Sequence, residues 1–270
     1  MEYAGNMIEE HAEIAFNQRM NSNIWLMGLM SPGIAREARP GQFVMIRVRS
    51  GMDPLLRRPF SVCAVRDDLF LVLYRVIGQG TSIMAEELRE RDRLPVLGPL
   101  GRGFELPRER KNILLVGGGI GVAPLVFLAE TTKDRDLCFM MGFGSASGII
   151  TTEKVLSASV PIAISTDDGT AGHHGPVTDL LEQYVNQQGA QTGSVGVFAC
   201  GPKPMLKKVA AMTTSLRVPC QVSLEASMAC GLGACQGCAV KAAKEEERSY
   251  YHVCRDGPVF QAQAIDWDGF

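Results

Sequence analysis

The sequence contains neither a long apolar run nor an excess of positive charge. Its apolar runs are short, as at residues 24–27 and 113–116, whereas a membrane-spanning helix needs about 18 apolar residues or more. The 27 basic and 29 acidic residues leave a formal charge of −2, which does not favour nucleic acid or an anionic membrane surface. Residues 1–10 hold three glutamates and no lysine or arginine, unlike a signal peptide. We therefore expect a cytoplasmic protein that binds neither membrane nor nucleic acid.

Composition and length predict a globular protein of more than one domain. Apolar residues make up 46% of the chain and charged residues 21%, close to the values of ordinary globular proteins. At about 100–200 residues per domain, a chain of 270 residues is long enough for two domains, or for three small ones.

The first hundred residues have the pattern of short antiparallel strands. Residues 43–49 and 68–76 are apolar and read as strands, and turn residues such as Gly98 and Pro99 separate such stretches. One helical stretch, residues 82–90, interrupts the pattern. Short strands at this spacing are typical of a small antiparallel barrel, which we predict over residues 1–107.

Buried strands alternate with helices further along the chain. Continuous apolar runs, typical of strands covered on both faces, occupy residues 112–116, 137–141, 160–165 and 195–200. Helix-compatible stretches at 123–131 and 177–187 lie between them. The alternation predicts a doubly wound parallel α/β domain over residues 108–218. Residues 219–270 are predicted as a small C-terminal [2Fe–2S] domain, which makes the fold class α+β and multidomain.

The C-terminal region carries four of the eight cysteines. Cys230, Cys235, Cys238 and Cys254 have the spacing Cys-x4-Cys-x2-Cys followed by a distant fourth cysteine, which is the plant-type ligand order of a [2Fe–2S] cluster. Glycines between them allow backbone N–H groups to turn towards the sulfurs. Zinc and disulfides are the alternatives, although zinc sites usually show two cysteine knuckles and disulfides are rare in the cytoplasm. We predict that the other four cysteines are buried and pack like small apolar residues.

A glycine-rich turn follows the first buried strand and precedes a helix. It contains Gly117, Gly119, Gly121 and Pro124, at a place where backbone N–H groups and the helix dipole bind a pyrophosphate. A tight turn without a ligand is the alternative. Two later strands end at the same edge of the predicted sheet. Asp167 and Asp168 lie at the end of the first, and Cys200 and Gly201 lie at the end of the second. The two aspartates favour NAD over NADP, because a carboxylate repels a 2′-phosphate.

Two segments of the predicted barrel combine cations, hydroxyls and a glycine turn, which is what a diphosphate requires. Taken separately, each segment is also compatible with an ordinary strand that carries a basic residue. Their candidate cofactor-binding residues are Arg58, Pro59, Phe60 and Ser61 in the first segment, and Leu73, Tyr74, Arg75, Gly80, Thr81 and Ser82 in the second.

Taken in order, these motifs resemble the ferredoxin–NADP reductase superfamily. Residues 58–61 are similar to that family's Arg-x-Tyr-Ser flavin motif, with Phe60 in place of tyrosine and without its hydroxyl. Residues 98–104 and 200–202 are similar to further family signatures. With the cysteine pattern added, residues 10–265 closely resemble the electron-transfer subunits of class 1B, NAD-dependent dihydroorotate dehydrogenases.

The resemblance implies three cofactors and one partner. FAD would lie on the two barrel segments, NAD at the sheet edge near Cys200 and the [2Fe–2S] cluster on the four C-terminal cysteines, with Glu225 bordering the nicotinamide site. The implied partner is an FMN-containing catalytic subunit that oxidises dihydroorotate in pyrimidine biosynthesis, in a heterotetramer of two copies of each chain. Electrons would pass from FMN through the cluster and FAD to NAD+.

Two other functions stay open at this stage. Related flavin and [2Fe–2S] subunits serve NADH-dependent ferredoxin–NADP reductases, sulfide dehydrogenases and hydrogenases, and some of them replace a cluster cysteine with aspartate. In this chain all four cluster positions are cysteines, which favours the dihydroorotate dehydrogenase family. The other alternative is a zinc-bound or redox-sensing interaction module without turnover, against which the flavin and glycine motifs argue.

Overall fold

The computed structural model describes residues 7–106, 112–132, 135–151, 155–156, 160–188 and 194–269. The predicted boundary between residues 107 and 108 lies outside these residues. Among the helices of the described ranges, none has both the length and the apolar character of a membrane-spanning segment.

Six antiparallel strands form a closed barrel near the N-terminus, which confirms the predicted architecture of this region. The strands are β1 (Ile8–Arg19), β2 (Ile24–Met30), β3 (Phe43–Ile46), β4 (Arg58–Arg66), β5 (Leu69–Arg75) and β6 (Arg93–Leu100), and the helices between them are α1 (Pro32–Glu37) and α2 (Gln79–Glu86). The strands pair in the order β1-β2-β5-β4-β3-β6. Fully buried side chains such as Met27, Phe70 and Tyr74 fill the core of the barrel.

Helix α2 begins three residues earlier than the sequence predicts. The predicted stretch was 82–90, whereas the observed helix covers Gln79–Glu86 and therefore includes the glycine, threonine and serine that were expected in a turn. The side chain of Thr81 explains the early start, because its Oγ1 accepts hydrogen bonds from the backbone N–H groups of Ile77 and Gly78. Such a bond satisfies N–H groups that a helix N-terminus leaves unpaired.

The rest of the chain builds a seven-stranded sheet, its helices and a small hairpin. The elements are β7 (Asn112–Gly118), α3 (Val122–Glu130), β8 (Asp136–Phe143), β9 (Ile162–Thr166), β10 (His173–His174), α4 (Val177–Gln188), β11 (Val195–Cys200), α5 (Lys203–Ser215), β12 (Cys220–Ser223), β13 (Ala239–Lys241), β14 (Tyr250–His252), α6 (Val253–Asp256) and β15 (Val259–Gln261). The sheet has the order β10-β9-β8-β7-β11-β12-β15, and β13 pairs with β14. All neighbours in the sheet are parallel except β12 and β15.

The strand order of the sheet creates a crevice at one edge. From β7 the chain runs outward through β8 and β9, and then returns to the other side of β7 as β11. In such sheets ligands bind where the order reverses, beyond the carboxyl ends of the two central strands. The predicted doubly wound sheet is confirmed, and the glycine-rich turn and Cys200 flank this point.

Strands β12 and β15 come from the range 219–270, which the sequence analysis predicted as a separate cluster domain. They extend the central sheet, with Val222 opposite Ala199 on one side and opposite Phe260 on the other. The C-terminal segment thus leaves the sheet, forms the cysteine loop and the β13–β14 hairpin, and then returns. This path anchors the loop at both ends.

Barrel and sheet pack through helix α3 and strand β4. Residues Val122–Ala129 of the helix are all buried. At its end, Arg66 on β4 forms an ion pair with Glu130, with 2.9 Å between Nη1 and Oε2, and its Nη2 donates to the carbonyl of Val155. Since β4 begins at the predicted flavin residues and α3 follows the glycine turn, this contact fixes the two sites relative to each other.

Candidate functional site

A cavity of about 620 Å³ opens between the barrel and the carboxyl edge of the sheet. Three parts of the chain line it: strands β4 and β5 with the start of α2, the region from the glycine turn to α3 together with the end of β11, and the segment after β12. The predicted cofactor residues in its lining are Arg58, Pro59, Phe60, Ser61, Leu73, Tyr74, Arg75, Gly80, Thr81, Pro124 and Cys200. Residues far apart in sequence therefore meet at one site of a size suited to a cofactor.

The other predicted residues lie near this cavity or at the sheet edge without lining it. Ser82 belongs to α2 and Gly117 to the end of β7. Gly119 and Gly121 form the turn between β7 and α3, Gly201 follows β11, and Asp167 lies beyond the end of β9. The cavity also contains residues that carry no sequence motif, including Phe43 and Ser223. Their position depends on tertiary packing, and no local pattern marks them.

Arg58 and Gly80 form the cationic corner of the cavity. A Cβ atom on Gly80 would lie 2.5 Å from Arg58 Nε, so a larger residue here would displace the Arg58 side chain. The Arg58 guanidinium also donates to the carbonyl of Leu56. A guanidinium beside the first turn of a helix offers positive charge and backbone donors to a diphosphate.

The two aromatic residues of the flavin segments touch each other. The rings of Phe60 and Tyr74 pack edge to face with their centroids 6.0 Å apart. The Tyr74 hydroxyl donates to Asn17 at 3.0 Å, and burial raises the pKa of this phenol. Tyr74 is a buried residue of the barrel core, and its hydroxyl, which Asn17 holds, does not replace the one that Phe60 lacks.

The glycine-rich turn packs tightly against the end of β11. A Cβ atom on Gly121 would lie 2.5 Å from the carbonyl oxygen of Cys200, and Gly119 has a left-handed φ of +55°. Arg75 lies beside this turn, since a Cβ on Gly119 would be 3.1 Å from its Nη2. The turn thus holds a helix N-terminus and a cation of the flavin strand within reach of one ligand.

Cys200 and Glu225 lie at the sheet side of the cavity. Burial, and to a smaller extent the charge of Glu225, raise the pKa of the Cys200 thiol, which therefore stays protonated. Burial also raises the pKa of Glu225, and the nearby Arg75 partly opposes this shift. Desolvation is the larger of the two effects, so the pKa of Glu225 lies above that of an ordinary glutamate.

The two aspartates after β9 have different surroundings. Asp168 accepts hydrogen bonds from the hydroxyl of Thr170 at 2.6 Å and from its N–H at 3.0 Å, and these bonds lower its pKa. Thr170 in turn accepts the N–H of Ala146, which ties the loops after β8 and β9 together. The carboxylate of Asp167 has no such partner among the described residues, while its N–H donates to Phe143. Asp167 is thus free to accept hydrogen bonds from a ligand.

The four C-terminal cysteines lie around one loop as two pairs. The Sγ atoms of Cys238 and Cys254 are 3.2 Å apart and buried, whereas Cys230 and Cys235 form the outer pair. Among the described residues no three His, Cys, Asp or Glu side chains converge as the ligands of a single metal ion would. Two thiol pairs fit a cluster of two irons, in which each iron takes two thiolates.

Backbone N–H groups point at these sulfurs. Cys230 Sγ accepts from the N–H groups of Leu232 at 3.3 Å and Cys235 at 3.4 Å, and Cys254 Sγ accepts from Gly233 at 3.1 Å. Partial burial raises the pKa of Cys230, but the backbone donors outweigh it and lower the pKa to about 6. The backbone donors therefore stabilise a thiolate at Cys230, whereas burial and the neighbouring Cys238 raise the pKa of the inner Cys254 to about 12.

The cysteine loop lies directly beside the cavity. A Cβ on Gly231 would be 2.7 Å from Met45 of β3, a strand whose Phe43 lines the cavity. Along the chain, the lining segment that follows β12 ends at Met228, two residues before Cys230. The candidate flavin and cluster sites are therefore neighbours in space and in sequence.

Comparison with protein families agrees with the arrangement of the C-terminal segment. A family model described as the iron–sulfur cluster binding domain of dihydroorotate dehydrogenase B matches residues 225–266. The match begins at the glutamate of the cavity and includes all four cysteines of the loop.

Two curated relatives are similar over most of the chain, and both are named dihydroorotate dehydrogenase B (NAD(+)), electron transfer subunit. The protein of Caldanaerobacter subterraneus subsp. tengcongensis is 37% identical over 254 residues, which cover 94% of this chain and 97% of that protein. The protein of Geobacillus thermodenitrificans is 42% identical over 239 residues, with 86% and 88% covered.

Solved structures share the fold. The structure of an NADH-dependent reduced ferredoxin–NADP oxidoreductase has a TM-score of 0.83 and 29% identity, and the match covers 96% of this chain and 91% of that one. Phthalate dioxygenase reductase has a TM-score of 0.61 at 18% identity, with 92% and 94% covered, which shows similarity of fold alone.

Proposed function

The chain belongs to the family of electron-transfer subunits of NAD-dependent dihydroorotate dehydrogenase B, and we propose that it carries electrons from a separate dihydroorotate-oxidising subunit to NAD+. The observation that carries the proposal is the single cavity on which the flavin segments, the crevice of the sheet and the segment leading to the cysteine loop converge. One molecule bound there contacts both a nicotinamide site and a cluster site.

The cofactors are FAD, a [2Fe–2S] cluster and NAD, and their order follows from electron counting. A nicotinamide exchanges two electrons as a hydride, whereas a [2Fe–2S] centre exchanges one at a time. A flavin does both, so FAD stands between the two. The cavity lies between the sheet crevice and the cysteine loop, which supports this order.

We assign FAD to the barrel side of the cavity. Arg58, with the first turn of α2 at Gly80 and Thr81, would hold the diphosphate, and the ring of Phe60, which packs on the buried Tyr74, would border the isoalloxazine. Ser61 lines the same wall. The cluster would be held by Cys230, Cys235, Cys238 and Cys254.

We assign NAD to the crevice at the end of β7. The pyrophosphate would meet the turn containing Gly119 and Gly121, with the nicotinamide directed towards Cys200 and the cavity. Asp167 lies two strands away, about 10 Å at the usual strand spacing, where it would accept the ribose hydroxyls of the adenosine half. Its free carboxylate supports a preference for NAD over NADP.

The partner is an FMN-containing subunit that oxidises dihydroorotate to orotate in pyrimidine biosynthesis, in a heterotetramer of two copies of each chain. The relatives are named as the electron-transfer subunits of such an enzyme, which implies a second, catalytic chain. The cysteine loop is the candidate contact, since Cys235 is exposed. None of the eight cysteines forms a disulfide, which fits the reducing cytoplasm.

The test is co-expression of this chain with an untagged catalytic subunit from the same genome. We expect the two chains to purify together with FMN, FAD and iron, and to form orotate and NADH in equal amounts from dihydroorotate and NAD+. A yellow-brown chain that oxidises NADH with dyes but binds no such subunit would contradict this function. It would favour instead a ferredoxin-linked reductase like the structure with a TM-score of 0.83.

A further inference from the structure

Two arginines on the outer face of the barrel have buried guanidinium nitrogens without an acceptor. They are Nε of Arg47, which follows β3, and Nη1 of Arg57, which precedes β4, and neither atom has a hydrogen-bond partner in the described ranges. Arg47 faces outward because Ile46 and Val48 on either side of it belong to the core of the barrel. Ile46 pairs with Arg58, so Arg47 and Arg57 lie opposite each other one step further along the two strands. Buried donors without partners cost free energy, and two at one place indicate an acceptor from outside the chain.

The loop between β3 and β4 does not supply this acceptor. Residues 47–58 contain four arginines and one acidic residue, Asp53, whose carboxylate accepts a hydrogen bond from Gln79 at 2.9 Å. The carboxylate of Glu9 on β1 forms an ion pair with Nη2 of Arg57 and leaves Nη1 unbonded. The loop is therefore cationic in a chain whose formal charge is −2.

Exposed apolar side chains lie beside the arginines. Leu55 and Leu56, just before Arg57, are 53% and 48% exposed, and Met7, two residues before Glu9, is 48% exposed. The ion pair between Arg57 and Glu9 brings these two segments together. A small anion would bind the guanidinium groups and leave the apolar side chains in water. A protein surface that carries a carboxylate would cover both.

The arginines and the cysteine loop belong to one continuous surface. Glu9 and Met45 both pair with Leu97 of β6, so these three residues lie side by side across β1, β6 and β3. Met45 is the residue that the cysteine loop covers, since a Cβ on Gly231 would lie 2.7 Å from its Cγ. A chain that contacts the cysteine loop therefore also reaches the ion pair of Glu9.

We propose that Arg47, Arg57, Leu55, Leu56 and Met7 form a docking face for the catalytic subunit, and that a carboxylate of that subunit binds between the two arginines. Rotation of the arginine side chains brings their unbonded donors to this carboxylate in the paired geometry that guanidinium groups favour. The inference rests on the proposed function for the identity of the partner. It adds to the cysteine loop a second contact, which sets the orientation of the two chains. A second copy of this chain does not complement the face, because a twofold axis there would place arginines against arginines.

The test measures the dissociation constant of the co-purified complex, with the full chain and its cofactors, by mass photometry after dilution. We expect Arg57→Gln to raise the dissociation constant about 30-fold or more, because this is roughly the effect of losing one partner of a buried charge pair at an interface. Arg47→Gln combined with Arg57→Gln should raise it further. Arg19→Gln is the matched control, an exposed arginine at the far end of the strand that carries Glu9, and should leave it within about twofold.

The face has further signatures besides the loss of affinity. Flavin content, iron content and NADH oxidation with dyes should stay within about twofold in every variant, which shows that each one folds. The affinity of the unaltered chain should fall as salt rises, and the double arginine variant should lose most of this dependence. Carbodiimide joins an amine to a neighbouring carboxylate, so Arg47→Lys should become linked to an aspartate or glutamate of the catalytic subunit. Mass spectrometry of the joined peptides identifies that residue.

Unchanged affinity of the double arginine variant for the catalytic subunit would overturn the inference. A self-associated chain that the same substitutions convert into monomers would also overturn it, in favour of a second copy as the occupant. In both cases a complex of the unaltered chains that forms NADH from dihydroorotate leaves the proposed function intact. A chain that binds no catalytic subunit would instead overturn the proposed function, and this inference with it.

Discussion

At the scale of single residues, Asp167 and Asp168 illustrate how neighbours of the same type acquire different roles. Asp168 is bound by the hydroxyl and N–H of Thr170 and thereby holds a loop. Asp167 keeps a free carboxylate at the end of β9. Asp167 offers both carboxylate oxygens to a ribose diol, whereas one oxygen of Asp168 is already bound by Thr170.

The first prediction concerns Asp167→Asn. Removing the charge should lower kcat/KM for NADH about tenfold, because the loss of one hydrogen bond to a charged group has roughly this effect. The ratio of kcat/KM for NADH to that for NADPH should also decrease. Steady-state diaphorase assays with both nucleotides measure this ratio. Asp168→Asn is the matched control and should leave the NADH-to-NADPH ratio within about twofold. If Asp167→Asn leaves the ratio unchanged, the ribose is bound elsewhere.

Single residues are also the features of the site that the sequence predicts best. Cysteines and glycines carry chemistry that depends on local spacing, so the loop at Cys230–Cys238 and the turn at Gly119 could be recognised without a structure. The sequence named both aspartates without distinguishing them, because their difference depends on Thr170 and Ala146, which meet only in the fold. Phe43 and Ser223 join the cavity through packing and carry no motif.

At the scale of elements, the contact between β4 and α3 joins the two halves of the site. Arg66 lies at the end of the strand that begins with the flavin motif, and Glu130 at the end of the helix that follows the glycine turn. Glu130 has only 9% of its side chain exposed, whereas Arg66 has 35%. Solvent screening at the partly exposed Arg66 weakens the ion pair. Because the pair joins the end of β4 to the end of α3, it still holds these two elements in position.

The second prediction is that Glu130→Gln loosens this contact. We expect a loss of about 1 kcal/mol in the free energy of unfolding, seen as a fall of about 2 °C in Tm, since Arg66 keeps its carbonyl partners. Thermal unfolding followed by circular dichroism measures this. Glu13→Gln, which breaks an exposed pair with Arg93, is the control and should cost less than about 0.5 kcal/mol. An equal effect of both variants would contradict the interpretation.

Element boundaries were less predictable than element types. Helix α2 begins at Gln79 because Thr81 accepts hydrogen bonds from two N–H groups ahead of it, a local capping interaction that helix propensity alone does not contain. Residues 220–223 and 259–261 are short and ambiguous as isolated strands. Residues 220–223 become a strand because they pair with the edge of β11, and residues 259–261 pair with them in turn. These pairings join the C-terminal segment to the sheet.

At the scale of the whole molecule, the fold places three sites in one line. The sheet crevice leads into the cavity, the cavity borders β3, and β3 contacts the cysteine loop at Gly231. The exposed side of that loop, at Cys235, faces outward. This layout predicts that electrons from a partner enter at the cluster and reach the nicotinamide only through it and the flavin.

The third prediction tests this route in the complex of both subunits, with Cys235→Ala as the variant. The cysteine is exposed, so its loss should disturb the core little, but it removes one of the four cluster ligands. Three rates are needed: reduction of a dye by dihydroorotate at the catalytic subunit, flavin bleaching by NADH, and NADH formation from dihydroorotate and NAD+. Iron and flavin contents of the complex establish that only the cluster is lost.

The third of these rates is the measurement that tests the central claim most directly. We predict that Cys235→Ala leaves dye reduction and flavin bleaching within about twofold and lowers dihydroorotate-dependent NADH formation at least about 100-fold, because no carrier then joins FMN to FAD. A cluster-free complex that still forms NADH from dihydroorotate at an undiminished rate would contradict the proposed electron path.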